Sequence, residues 1–177
     1  RVAVKENNLG LAQQYMDDAV RMMSSDSDIF VRRSSVRRML GDNTGAVEDL
    51  IMAISIDSNS RAIQELANIG NADYPAVITG LSSAISQAPD QPMLYYLRGF
   101  IAQAHAHYLS AIDDYRKLVD NNMYNYPGIY GALGECYFRL CDYDRALEYV
   151  NQAIGMDPAN PEYNTTLSRI RRAMGDN

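Results

Sequence analysis

Tyr130–Pro158, YGALGECYFRLCDYDRALEYVNQAIGMDP, is the stretch whose reading decides the fold. Tyr130, Leu133, Tyr137 and Leu140 fall at i, i+3, i+7 and i+10, so their apolar side chains share one stripe of a helix. Ala146, Leu147, Val150, Ala153 and Ile154 form a second stripe. Cys141-Asp142 interrupts the pattern between them and Asp157-Pro158 closes it, which marks a tight turn and a helix end. The stretch therefore reads as two antiparallel helices joined by a short turn.

Working outward, the same phrases recur. Tyr74, Tyr108 and Tyr143 are spaced by 34 and then 35 positions, in Asp73-Tyr74, His107-Tyr108 and Asp142-Tyr143. Three positions on stands Val77, Ala111 or Ala146, and the column extends back to Ala46 and Ala12. A second column, seven positions later, reads Ala19, Ala53, Ala84, Leu118 and Ala153. Met39-Leu40-Gly41-Asp42-Asn43 recurs four units on as Ala173-Met174-Gly175-Asp176-Asn177. A period near 34 means stacked supersecondary units rather than one irregular domain. No stretch alternates with period two for long enough to be a convincing strand.

These columns resemble the tetratricopeptide repeat (TPR). The match is clearest at Tyr130, Leu133-Gly134, Tyr137, Asp142-Tyr143, Ala146, Ala153 and Asp157-Pro158. Gly99, Ala111 and Tyr115 carry it in the preceding unit, and Gly41-Asp42, Ala46 and Ala53 near the start. The resemblance implies an all-α, right-handed α-solenoid of antiparallel hairpins with about ten helices, one array over residues 1–177. Its units are 1–26 (partial), 27–57, 58–91 (degenerate), 92–126, 127–160 and 161–177 (a capping helix or partial unit). In 58–91 the first helix, near Arg61 to Ile69, looks some three residues short, and Arg61 and Glu65 replace the expected aromatic and glycine.

Composition narrows the function. Of 177 residues 47% are hydrophobic, enough for a continuous core, and no apolar run approaches the ~20 residues of a membrane span. The net charge is −6, which weighs against nucleic acid, whose phosphates reward a basic excess. Cys136 and Cys141 build neither a disulfide framework nor a zinc site and favour a reducing, cytoplasmic compartment, with the periplasm left open. No nucleophile–base pair, carboxylate pair, phosphate loop or metal-ligand spacing is present, so no catalytic residue, cofactor or metal is expected. His105 and His107 read as a solvated turn, and both cysteines as packing residues.

The Arg32-Arg33…Arg37-Arg38 run divides by register. Arg33 and Asp49 stand at i and i+16, and so do Arg98 and Asp114, so each pair is expected to bridge the two helices of one hairpin. Arg38 stays a binding candidate. If first helices line a concave groove, as the resemblance implies, the groove carries Asp28, Val31, Ser35 and Arg38; Met93, Tyr96, Phe100 and Gln103; Glu135 and Phe138; and Glu162, Thr165, Arg169 and Arg172. Gly128 and Gly131 would leave room in its middle. The peptide-binding candidates are Arg38, Met93, Tyr96, Phe100, Gln103, Glu135, Phe138, Arg169 and Arg172. The bland alternative is that a neighbouring segment or dimer mate covers Tyr96 and Phe100.

The expected function is a non-catalytic scaffold that holds a peptide or protein surface in this groove. A recruiting or regulatory repeat region of a larger enzyme or assembly is the alternative, and RNA binding a weaker third. The carboxylate clamp by which TPR co-chaperones hold an acidic C-terminus is replaced here by Tyr96, Phe100, Gly131 and Ala132. Ala12 and Ala19 sit in second-helix columns, so Arg1–Glu6 is expected to be the tail of a first helix. Further repeats upstream, and self-association at the N-terminal end, are expected with it.

Overall fold

The computed structural model describes residues 2–58, 60–123 and 126–175, with side chains from residue 8 onward apart from Ser60. Among the described residues there are ten helices and no strand. In the first half they are α1 (Val2–Met22), α2 (Ser27–Met39), α3 (Asn43–Asp57), α4 (Ser60–Ala72) and α5 (Tyr74–Gln87). In the second they are α6 (Pro92–Ala104), α7 (Tyr108–Asp120), α8 (Pro127–Arg139), α9 (Tyr143–Met156) and α10 (Pro161–Met174). Helices α1–α5 form one compact unit and α6–α10 another.

The repeated phrases are start and stop signals. Asp42, Asp73 and Asp142 are N-caps whose carboxylates accept from the N–H groups of Gly45, Ala76 and Arg145. His107 holds the same slot before α7 and makes no side-chain cap bond. Pro92, Pro127 and Pro161 open α6, α8 and α10, where a missing N–H costs nothing. Gly41, Ala106 and Cys141 turn the chain at left-handed φ of 83°, 60° and 61° between the helices of a hairpin. No helix among the described residues is long and apolar enough to cross a membrane.

Within each unit the small columns set how closely helices approach. Ala46 and Ala53 of α3, Ala111 of α7, and Ala146 and Ala153 of α9 are all fully buried. Gly99 of α6 abuts the Tyr115 ring of α7, where an added Cβ would stand 3.0 Å from Cε1, and Gly134 of α8 abuts Val150 of α9. The core of the first unit holds Val31, Leu50, Leu66 and Leu81; that of the second holds Leu94, Leu97, Tyr115, Leu118, Ile129, Leu133 and Ile170.

Five expectations are corrected. Helix α4 has 13 residues, as many as α2, α6 and α8, so the degenerate unit's first helix is not short. Ala62, Leu66 and Ile69 bury its inner stripe, and Arg61 pairs with Glu65 one turn on at 3.1 Å. The segment after Arg1 is not a separate first helix, because α1 runs unbroken for 21 residues from Val2 with no proline to stop it; Arg1 lies outside the described residues. Val31 does not face a groove but is fully buried, as α1 and α3 both pack on α2. Cys141 does not pack: it is exposed at the α8–α9 turn, unlike the buried Cys136. Gly128 and Gly131 leave no room, since the Tyr126 and Tyr163 rings occupy the space beside them. The recurrence at Asp176-Asn177 lies outside the described residues.

Candidate functional site

Both expected ion pairs form. Arg33 meets Asp49 with Nη2 2.6 Å from Oδ1, and Arg98 meets Asp114 at 2.7 Å between Nη2 and Oδ1. Asp49 is almost wholly buried and also receives Arg37 at 3.2 Å, while Arg33 extends to Asp17 of α1 at 3.1 Å. Arg37 further donates to the Gly45 carbonyl at 2.7 Å. Hydrogen bonding to Asp49 raises the Arg33 pKa. Two members of the arginine run therefore tie α1, α2 and α3 together; Arg32 and Arg38 are exposed. Asp114 behaves differently, since burial pushes its carboxyl up and Arg98 offsets only part of that.

In the second unit, three first helices and one second helix enclose an open cleft of about 490 Å³. Phe100, Gln103 and Ala104 come from α6, Tyr108 from α7, Glu135 and Arg139 from α8, and Arg169 from α10. Phe100, Glu135 and Arg169 occupy one repeat position on three consecutive first helices. Phe100 is 46% exposed and stacks on Tyr96 with ring centroids 6.3 Å apart, and Tyr96 in turn leans on the buried Tyr115.

The polar groups of the cleft are held from behind. Arg169 donates to Glu135 through Nη1 at 2.9 Å and lies over the Phe138 ring at 4.5 Å. The Tyr115 hydroxyl, kept protonated by burial, donates to Oε1 of Gln103 at 2.9 Å. That bond fixes the carboxamide and leaves its two N–H donors for the cleft. Arg139 donates from Nε to the Tyr108 hydroxyl at 3.0 Å and lies over that ring at 5.7 Å.

Of the nine binding candidates, Phe100, Gln103, Glu135 and Arg169 line the cleft, and Tyr96 and Phe138 back it. Met93 is half-buried and Arg172 exposed, both away from the lining, and Arg38 belongs to the other unit. Tyr108 and Arg139 line the cleft but escaped the sequence reading. Arg139 stands one repeat after Ala104, so the register carried a signal for it; Tyr108 was absorbed into the repeat phrase. A second cleft of about 400 Å³ lies between Leu109, Ile112, Arg116, Tyr137, Leu140 and Arg145. Its arginines are paired within their own helix or turn, Arg116 to Asp120 and Arg145 to Asp142. No group of histidine, cysteine and carboxylate side chains among the described residues is placed to hold a metal.

The tetratricopeptide repeat model matches residues 96–161, which contain α7, α8 and α9 and most of α6. No curated protein matches the chain in sequence. Among solved structures the chain is similar to a tetratricopeptide repeat protein from Parabacteroides merdae, at 16% identity over 98% of this chain and 70% of that one, with a TM-score of 0.56. It is similar to yeast Tom70, at 16% identity over 93% of this chain and 36% of that one, TM-score 0.60. It is also similar to pilF of Pseudomonas aeruginosa, at 16% identity over 98% of this chain and 80% of that one, TM-score 0.55. At such identities the likeness is one of fold.

Proposed function

This chain has the tetratricopeptide-repeat fold and carries the repeat itself over residues 96–161, and on that premise we propose that it is a non-catalytic scaffold holding a peptide or protein surface in the α6–α8–α10 cleft. Tetratricopeptide repeats generally mediate protein–protein contacts. One observation carries the reading. An exposed aromatic, Phe100, is set on a stacked aromatic base and ringed by side chains whose geometry is already fixed. Exposed apolar surface rimmed by prearranged polar groups suits partner binding, because little side-chain freedom is left to lose.

The net charge of −6 favours a protein partner over nucleic acid. Cysteines that are both unpaired fit a cytoplasmic setting. At the other end, Leu11, Tyr15, Met22 and Met23 of and beside α1 are exposed, which supports self-association there.

The test is affinity capture with the whole chain beside its Tyr96→Ala/Phe100→Ala variant, with the captured proteins identified by mass spectrometry. Partners held by the wild type and lost by a variant of unchanged helical circular dichroism support the reading. Recovery of the same partners by both overturns it.

A further inference from the structure

We infer that the α6–α8–α10 cleft selects a peptide segment in which an Asp or Glu side chain stands beside a large apolar residue, the carboxylate seated on Arg139 and the apolar group on Phe100. The inference deepens the proposed function and rests on it. Its ground is a count of what the cleft still offers. Two guanidinium groups and one carboxylate line it, leaving one net positive charge in a chain of net charge −6.

Arg169 is satisfied by Glu135, through 2.9 Å and 3.4 Å contacts to the two carboxylate oxygens. Arg139 is not: Nε is used by the Tyr108 hydroxyl, and no carboxylate among the described residues pairs with the guanidinium. The side chain is exposed, so its outer N–H groups are open to a ligand, while the Nε bond to the Tyr108 hydroxyl orients the group. A guanidinium prefers a carboxylate, which it meets through two parallel bonds.

The remaining polar groups agree. Gln103 gives its oxygen to Tyr115 and keeps two donors, and the Tyr108 hydroxyl accepts from Arg139 and keeps its proton. The one carboxylate of the cleft, Glu135, is hydrogen-bonded by Arg169 and acts on Arg139 only through space. A cleft rich in donors and poor in acceptors fits an acceptor-bearing ligand. One carboxylate cancels the net charge of the site, whereas an acidic residue at a free C-terminus would bring two beside Glu135. A single internal acidic side chain is therefore the better match, and Phe100 supplies the apolar contact next to it.

The experiment selects random peptides against the whole chain, then measures binding of the recovered sequences, made with blocked ends, by fluorescence anisotropy. Recovered peptides should share an Asp or Glu next to a large apolar residue. Changing that acid to its amide, or Arg139 to Gln, should each weaken binding about tenfold, and the two together no more than either alone. Arg139 is exposed, so Arg139→Gln is expected to fold, and the change made in the peptide tests the same contact on unaltered protein. Selection of peptides without an acid, or an equal loss from the amide change in wild type and Arg139→Gln, overturns the inference. So does binding only by peptides with a free C-terminal carboxylate. Phe100→Ala separates the levels. Loss with Phe100→Ala but not with Arg139→Gln leaves the cleft as the site and removes the carboxylate. Undiminished binding by both variants, or no peptide recovered, removes the cleft reading as well.

Discussion

Arg169 of α10 and Glu135 of α8, at equivalent positions of consecutive first helices, are joined by a salt bridge of 2.9 Å. The pair is half-open to solvent and contributes only modestly to stability, up to about 1 kcal/mol. Its larger effect is on the cleft, where it occupies the one carboxylate and holds Arg169 over Phe138. Glu135→Gln should release Arg169 and strengthen binding of acidic peptides, with a steeper dependence on salt. Titrations of wild type and variant at low and high salt check this, and weaker binding by the variant would count against it.

The Arg33–Asp49 pair is a different kind of bond. Asp49 is almost fully buried, and Arg33 and Arg37 converge on it. Arg33→Met should cost about 3 kcal/mol, because it leaves a buried charge with only part of its compensation. Arg33→Met/Asp49→Leu should cost less than Arg33→Met alone. Urea unfolding of the three proteins provides the comparison, and a loss below about 1 kcal/mol for Arg33→Met would show the pair to be dispensable.

Ala146 fills a fully buried slot between α8 and α9, with its carbonyl 3.3 Å from where a Cβ on Gly134 would stand. Ala146→Leu should overpack that hairpin and destabilise by about 1–3 kcal/mol. Thermal unfolding followed by circular dichroism reads the loss. An unchanged midpoint would mean that the small column is not what sets the helix separation.

Asp114 gives a pH signature. Burial raises its carboxyl pKa above the ordinary 3.8, so the folded chain binds this proton more tightly than the unfolded chain. Its contribution to stability is therefore full below 3.8 and falls as pH rises through the folded value. Relative to wild type, Asp114→Asn should gain stability between about pH 4 and neutrality. Paired urea titrations across that range measure the difference, and a gap that moves the other way would place Arg98 as the stronger influence.

The thiols should separate by reactivity. Burial pushes the Cys136 thiol up to about 12, whereas Cys141 is exposed at its turn. At about pH 8 a disulfide-exchange reagent should modify the exposed Cys141 promptly and the buried Cys136 only after denaturant is added. Peptide mapping of the labelled chain identifies the site.

The architecture was legible because its signals repeat. Asp-Tyr phrases are caps, prolines open first helices, and a column such as Phe100, Glu135 and Arg169 stays on one face when the period is near 34. The ion pairs were legible for the same reason, as both join positions i and i+16 of a hairpin. What the register hides are contacts that join different columns. Tyr108 of a second helix meets Arg139 of the next first helix, and Tyr163 fills the space beside Gly131. Neither follows from the spacing of either residue. Val31 is buried rather than groove-facing because α2 has α1 and α3 both packed on it, which the spacing within α2 does not reveal.

Hydrogen exchange of the whole chain with and without the tightest selected peptide tests the central claim most directly. The account predicts slowed exchange in the C-terminal turns of α6 and α8 and around Arg169 of α10, with the second cleft beside Leu109 and Leu140 unchanged. Protection confined to that second cleft, or to α1–α5, would contradict it.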